Sequence, residues 1–294
     1  MQQLTQFWLQ FPVEFWVFAI LIALIIGSFL NVLIYRLPLM LQRQWLSDSQ
    51  QFLSEQEQSE TPLPSGRFNL WLPGSQCPHC HHAIPPWLNI PVISWLLLKG
   101  RCHYCQHAIG WHYLLIELAA PLLVYFTFIQ FGISYQWLLA CIFVFSLFTL
   151  SMIDLKTMLL PDQLTLPLLW LGLLVNSHHL LVSLNDAVWG AALGYLFLWG
   201  LYWIFKLLTQ KEGLGYGDFK LLAAIGAWLG WHALPLILLL GSMAGAIIGL
   251  MLLITKKSNR QTPIPFGPFL TLGTYLYLFA GQGLIHNYQL LLGY

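Results

Sequence analysis

The sequence predicts an all-α polytopic membrane protein with about eight transmembrane helices. Of its 294 residues, 58% are hydrophobic and only 8% are charged, whereas a soluble protein carries about 25% charged residues. The apolar residues are gathered into runs of the ~20 residues that a helix needs to cross a bilayer. The net charge of +1 says nothing about partners, because there are too few charges to produce a field. We expect contact with membrane lipid and no nucleic-acid partner.

Six apolar runs predict one span each, at residues 13–35, 113–130, 136–153, 164–182, 187–208 and 266–285. A further run, 219–254, would be about 54 Å long as one helix, against a bilayer core of about 30 Å. Gly230 and Pro235 interrupt this run, so we predict a hairpin of two shorter helices. The first run is too long for a signal peptide and lacks a basic n-region, so we expect it to be retained.

The basic residues support eight spans. With that count, all twelve fall on one side of the membrane: Arg36, Arg43, Arg67, Lys99, Arg101, Lys156, Lys206, Lys211, Lys220, Lys256, Lys257 and Arg260. With seven spans, the last three would fall on the other side. The excess of Lys and Arg marks the cytoplasmic face, so both termini are expected outside, in the periplasm of a bacterium.

One long connection, residues 36–112, forms a cytoplasmic insertion. Its part from 42 to 66 is rich in Gln, Ser and Glu and predicts a flexible or loosely helical segment. The chain therefore divides into a first span at 1–35, the insertion at 36–112, and about seven spans at 113–294.

The insertion holds two C-x-x-C pairs, Cys77 with Cys80 and Cys102 with Cys105. This spacing is typical of a structural zinc site in which four thiolates close the tetrahedron. A cytosolic location disfavours disulfides, although paired disulfides and redox chemistry stay open. Five histidines crowd the pairs and could substitute as ligands: His79, His81, His82, His103 and His107. Cys141 lies within a span and is expected to be a core residue.

Four acids lie in or beside the predicted spans, where charge is costly and marks functional sites. They are Glu117, Asp154, Asp162 and Asp218. Asp154 ends the third span, and Asp218 opens the sixth after Gly215 and Gly217, so both should lie at the cytoplasmic boundary. Two carboxylates that share a proton suit aspartic proteolysis. A helix cap at Asp218 or a pair between Asp154 and Lys156 would explain either residue without catalysis.

Several motifs, in order, resemble those of the type IV prepilin peptidases, which are bifunctional leader peptidase/N-methyltransferases of the membrane aspartic protease group. The matching segments are 27–38 (GSFLNVLIYRLP), the two C-x-x-C pairs, 89–96 (NIPVISWL), 99–102 (KGRC), 154–162 (DLKTMLLPD) and 215–220 (GYGDFK). The resemblance covers nearly the whole chain. It implies an enzyme of the bacterial inner membrane whose substrates are prepilins and pseudopilins.

The resemblance also implies roles for individual residues. Asp154 and Asp218 would be the catalytic pair, with Asp162, Gly215 and Gly217 in supporting positions. Residues 36–112 would be associated with methylation and 113–294 with proteolysis. The methyl donor would be S-adenosylmethionine, for which the candidate residues beside the cysteine loop are Asn31, Gly100, Arg101 and Glu117.

Two alternatives remain at this point. The chain could be a peptidase without methyltransferase activity, or a non-enzymatic membrane scaffold or transporter with a zinc knuckle. Transport would favour acids near the middle of the bilayer, whereas here they cluster at one edge.

Overall fold

The computed structural model describes residues 12–54, 68–211, 213–255 and 264–292. Within these ranges the chain forms nine α-helices: α1 (Pro12–Ser54), α2 (Ile93–Leu97), α3 (Trp111–Phe131), α4 (Tyr135–Thr157), α5 (Asp162–Ser177), α6 (Leu184–Thr209), α7 (Tyr216–Leu229), α8 (Leu234–Ile254) and α9 (Gly267–Leu292). Strand pairing in the described part is limited to two isolated bridges. The predicted all-α class is confirmed.

Among the described residues, five helical segments are long and apolar enough to cross a bilayer: Pro12–Phe52, Trp111–Phe131, Tyr135–Thr157, Leu184–Thr209 and Trp231–Ile254. A multi-pass membrane protein is therefore confirmed. The predicted count of eight is approximate. Helices α5 and α7 have 16 and 14 residues, which gives lengths of about 24 and 21 Å, shorter than the ~30 Å bilayer core.

The predicted break within 219–254 is present. Helix α7 ends before Gly230, whose φ of 77° suits a residue without a side chain. The N–H of Gly230 bonds to the carbonyl of Gly226 at 2.8 Å, which closes the last turn. A short 3-10 turn, Trp231–Ala233, then leads into α8, where Pro235 occupies the first turn and needs no N–H partner.

The first helix extends beyond its predicted end at residue 35. It passes Pro38 and continues to Ser54. Residues 42–54 of the segment expected to be flexible or loosely helical are therefore helical, and 55–66 lie outside the described residues. Buried side chains explain the continuation as far as Leu41. Ile34, Leu37 and Leu41 are all buried, and their spacing of three and four residues keeps one apolar face along the helix.

Two compact units make up the chain, one up to Phe126 and one from Thr127 onward. In the second unit, α7 is the central helix, and its side chains from Asp218 to Trp228 are buried with few exceptions. Gly190 of α6 and Gly226 of α7 meet backbone to backbone, an approach that a side chain would block. This close packing holds the start of α7, and hence Asp218, in a defined position.

Candidate active site and metal centre

Each C-x-x-C pair forms a tight turn of the same design. In the first, the N–H of His81 bonds to the carbonyl of Cys77 at 2.9 Å, and in the second the N–H of Gln106 bonds to the carbonyl of Cys102 at 3.1 Å. His81 and Gln106 share a φ of 56°, which reverses the chain after each pair. The repeated geometry points all four sulfurs toward one centre.

The four Cys sulfurs lie within 4.8 Å of one another, and the sulfurs of Cys77 and Cys105 are 3.8 Å apart. A tetrahedral zinc ion with Zn–S bonds of about 2.3 Å requires sulfurs about 3.8 Å apart. All four cysteines are free of disulfides. The predicted ligand set is therefore brought together and can bind a metal ion.

The Cys77 sulfur is prepared for metal binding by its backbone environment. The backbone N–H of Cys80 donates to this sulfur and lowers the pKa of the thiol below its ordinary value. A metal binds the thiolate rather than the thiol, so this hydrogen bond favours the metal-binding form of Cys77. Three of the histidines make ring contacts: the rings of His79 and His107 stack with centroids 4.4 Å apart, and the ring of His82 lies 3.7 Å from that of Tyr104 at a tilt of 38°.

Asp154 lies near the end of α4 and is only 5% exposed. Its Oδ2 accepts a hydrogen bond from the backbone N–H of Gly267 at 3.0 Å, although the two residues are 113 positions apart. The bond joins the end of α4 to the start of α9.

Asp218 is the third residue of α7 and is 7% exposed. Its Oδ2 accepts from the backbone N–H of Gly215, the N-cap residue, at 3.3 Å. Each of the two aspartates thus has one oxygen held by the backbone N–H of a glycine. The helix cap considered for Asp218 is present, but it uses only one of the two oxygens.

The two carboxylates are close enough for Asp154 to act electrostatically on Asp218. Asp218 Oδ1 is buried and has no hydrogen-bond partner among the described residues, which is unusual because buried polar atoms are almost always paired. Two acids in a partly dry site resist double ionisation and share a proton. The arrangement can therefore bind a water molecule and supply both a general base and a general acid.

Leu160, in the connection between α4 and α5, packs against the start of α7 and the start of α9. A Cβ on Gly217 would lie 2.7 Å from the Cβ of Leu160, and a Cβ on Gly267 would lie 2.7 Å from Asp154 Oδ2. A side chain at either position would therefore force its neighbour, Leu160 or Asp154, to shift. Gly217 was predicted as a supporting residue, whereas Gly267 and Leu160 were missed by the sequence analysis.

We expect Gly267→Ala to reduce any reaction that depends on Asp154 by about 100-fold, because an ~1 Å displacement of a reacting group has an effect of that order. Gly200→Ala is the matched control, since a Cβ there meets nothing within 4 Å. Initial rates of the two purified variants, with melting temperatures as a check on folding, test this. Equal rates would show that Asp154 tolerates the displacement.

Asp162 opens α5, and both of its carboxylate oxygens lie 2.7 Å from the Nζ of Lys220. This ion pair ties the start of α5 to the start of α7, which carries Asp218. The Asp162 side chain is 50% exposed, so solvent weakens the attraction, and exposed pairs contribute only about 0.2–1 kcal/mol.

A double-mutant cycle of Asp162→Asn and Lys220→Gln should therefore give a coupling energy below about 1 kcal/mol in stability. We expect each single variant to keep more than about a tenth of the wild-type rate, because ~1.4 kcal/mol corresponds to tenfold. Complete loss of activity in Asp162→Asn alone would instead place this carboxylate in the chemistry.

A second site lies within the first unit. The turns of the two C-x-x-C pairs, Cys77–Cys80 and Cys102–Cys105, are called the first and second knuckles. A cavity of about 290 Å³ is lined by both knuckles, by α2 and by the start of α3, including Trp95, Tyr113 and Glu117. Glu117 accepts from the backbone N–H of Val92 at 2.7 Å. Val92 has a φ of 62°, a strained conformation for a β-branched residue, and strained residues cluster at functional sites.

The residues predicted around the methyl donor fall in different places. Asn31 is buried, donates to the carbonyl of Tyr113 at 3.0 Å and interacts with Glu117. Gly100 has a φ of 67° and lies against the Trp95 indole, where a Cβ would approach to 2.8 Å. Arg101 is exposed and is not among the cavity-lining residues.

Together, the fold and these sites define a multi-pass helical membrane protein with a buried aspartate pair and a four-cysteine metal-binding cluster. Residues 21–131 match the family described as the bacterial peptidase A24 N-terminal domain, and residues 141–250 match the type IV leader peptidase family. The chain belongs to the type IV leader peptidase family.

Relatives align over nearly their full length. A protein of Stutzerimonas stutzeri named prepilin leader peptidase/N-methyltransferase is 50% identical over 94% of each chain. Proteins with the same name from Aeromonas salmonicida and Pseudomonas aeruginosa are 50% and 45% identical, covering 96% of this chain and 94% and 96% of their own. No solved structure matches significantly.

Proposed function

We propose that this protein cleaves the short basic leader of type IV prepilins and pseudopilins and then N-methylates the new N-terminal residue. The observation that carries the proteolytic half is the buried pair of Asp154 and Asp218, each with one oxygen held by a glycine N–H. The shared name of the full-length relatives supports both halves.

In the proposed cleavage, one carboxylate takes a proton from water as the water oxygen attacks the scissile carbonyl carbon. The other, protonated carboxyl donates to the carbonyl oxygen and stabilises the tetrahedral intermediate. When the C–N bond breaks, the leaving amine takes up a proton from the pair. The glycine N–H bonds keep both carboxylates oriented through these steps.

The proposed location is the bacterial inner membrane, with the aspartates at the cytoplasmic boundary and both termini in the periplasm. Lys156 and Lys220 each follow a catalytic aspartate by two residues, and positive charge marks the cytoplasmic side. A basic leader would stay on that side while the apolar helix behind it remains in the bilayer and in contact with lipid. The bond between them would then lie at the level of the aspartates.

The methyl donor is proposed to be S-adenosylmethionine, which supplies an electrophilic methyl group when bound. The cavity fits such a ligand, because Glu117 offers a carboxylate to a cationic group and Trp95 and Tyr113 offer aromatic walls. The buried Nε1 of Trp95 has no hydrogen-bond partner among the described residues and could donate to the ligand. Asn31 and Gly100 would support the walls of this cavity through their contacts with Tyr113 and Trp95. The exposed Arg101 would contact the ligand from outside the cavity.

The metal is proposed to be zinc, held by Cys77, Cys80, Cys102 and Cys105 in a structural role. Four sulfurs complete a tetrahedral shell and leave no open position for catalysis. The ion would hold the two turns together and thereby form the cavity walls that contain Cys77 and Cys102.

The test uses the purified full chain in lipid nanodiscs with a peptide that carries a basic leader, a glycine and a phenylalanine-led apolar helix. Intact mass spectrometry should show loss of the leader and, with S-adenosylmethionine, gain of one methyl group on the new terminus. Cleavage without methylation would mean that the protein is a peptidase without methyltransferase activity. An unchanged peptide, with a related full-length enzyme active in parallel, would exclude both activities.

A further inference from the structure

The short helix α2 exposes an entirely apolar outer face. Its inner residues Ser94 and Trp95 line the cavity, whereas Ile93, Leu96 and Leu97 are 54%, 58% and 76% exposed. Their spacing of three and four residues places them on one side of the helix. A contiguous apolar surface outside a span marks contact with a membrane or with another protein.

Both ends of α2 are attached to the beginning of α3. At the start of α2, the N–H of Val92 bonds to the Glu117 carboxylate at 2.7 Å. Beyond its end, the N–H of Ile109, two residues before α3 begins, bonds to the carbonyl of Gly100 at 2.7 Å. These two bonds hold α2 beside the first two turns of α3.

The length of α3 sets the level of those turns in the membrane. Helix α3 has 21 residues, or about 31 Å, which is just enough to cross a bilayer core of about 30 Å. Trp111, 68% exposed at its first residue, then lies at the membrane–water interface, where tryptophan is enriched. Glu117 lies about 9 Å farther along the axis.

We propose that α2 is an interfacial helix whose outer face, Ile93, Leu96 and Leu97, inserts into the bilayer surface. One attachment of α2 lies at Ile109, just before Trp111, and the other at Glu117, about 9 Å beyond Trp111 along the axis, so α2 lies within the ~5–10 Å depth at which interfacial helices are found. The exposed Lys99 and Arg101 follow directly, as expected for basic residues that reach lipid headgroups. The cavity on the inner side of α2 would then open close to the membrane surface.

The bilayer accounts for this face better than a protein partner does. Its position is fixed by bonds to a membrane-spanning helix, so the face lies where lipid is already present around α3. No separate partner is needed to cover it. The proposal concerns placement alone and stands whether or not either enzymatic activity is found.

Fluorine NMR on the full chain in lipid nanodiscs tests the proposal. A trifluoromethylphenylalanine is placed at Leu97 in one sample and at Tyr104, an exposed aromatic residue of the second knuckle, in the control. Lipids with a nitroxide near the headgroup should broaden the Leu97 signal at least about threefold more than the Tyr104 signal. An aqueous gadolinium chelate should give the opposite order.

Two results would overturn the proposal. If the Leu97 signal responds to gadolinium as strongly as the Tyr104 signal does, the outer face of α2 lies in water. If it responds to neither probe, another protein surface covers the face. Metal content measured on both labelled samples shows that the knuckles remain folded, so that either result applies to the native arrangement.

Discussion

Replacing either Asp154 or Asp218 with Asn should lower leader cleavage by at least about 1,000-fold, since general acid–base catalysis contributes about 100- to 10,000-fold. Asparagine keeps the size of the side chain and can still accept the hydrogen bond from Gly267 or Gly215. It cannot take a proton from water or donate a carboxyl proton. The loss should therefore appear in kcat, with a small change in KM.

The matched control for this prediction is Asp186→Asn. Asp186 is also in the second unit and begins a helix, where it bonds to the Ser183 hydroxyl and to the Trp231 indole. Its replacement should leave cleavage within about twofold, as for a site that makes no contact with the transition state.

Methylation of a peptide that already lacks its leader provides a second readout. The two aspartates lie in the unit that begins at Thr127, while the Glu117 cavity lies in the unit that ends at Phe126. Each aspartate variant should therefore keep methyl transfer to this peptide. Normal cleavage by both aspartate variants would show that the pair is not the catalytic centre.

The sequence was sufficient to predict the helical class, the break after α7 and the metal-binding set. These features depend on local patterns: apolar runs of membrane length, a glycine and a proline within one run, and the spacing of Cys77, Cys80, Cys102 and Cys105. The acids could be selected because charge near the bilayer is costly. The approach of Asp154 to Asp218 could not be derived, because no local sequence pattern indicates a contact between residues that are 64 positions apart.

Backbone contacts explain what the sequence analysis missed. Gly267 acts on Asp154 through a backbone N–H and through the absence of a side chain, and neither property is visible in a sequence. The only local signal was a glycine followed by Pro268, with Pro265 two positions before it, at the start of the last span. The bond from Val92 to Glu117 depends on a φ of 62°, which the preferences of a β-branched residue argue against.

Removal of the metal should unfold the segment 68–110 and abolish methylation. Only four residues of this segment are buried, namely Cys77, Ser94, Gly100 and Cys102, so it has no large aliphatic core of its own. A module of about 40 residues usually needs a metal or disulfides to fold. Binding of structural zinc supplies about 10–16 kcal/mol in small peptides, which is far more than this core could provide.

The variants Cys102→Ser and Cys141→Ser distinguish the loss of a metal ligand from the loss of a cysteine outside the metal site. Cys141 is buried in α4 and contacts the Thr127 hydroxyl at 3.3 Å, where a serine can keep a hydrogen bond. We expect Cys102→Ser to lose the metal, to exchange amide hydrogens rapidly across 68–110, and to lose methylation by at least about 100-fold. Cys141→Ser should keep one metal ion per chain and normal exchange.

Leader cleavage should respond less to loss of the metal than methylation does. The aspartate pair is held by the second unit, where α7 is enclosed by its own apolar core, and the two glycine N–H groups that bond to the carboxylates, those of Gly267 and Gly215, belong to the same unit. Treating the wild type with a zinc chelator and then measuring both reactions on the same sample tests this difference. An equal decline of both activities would mean that proteolysis also requires an ordered knuckle. Full methylation after verified metal loss would show instead that the cavity forms without the ion.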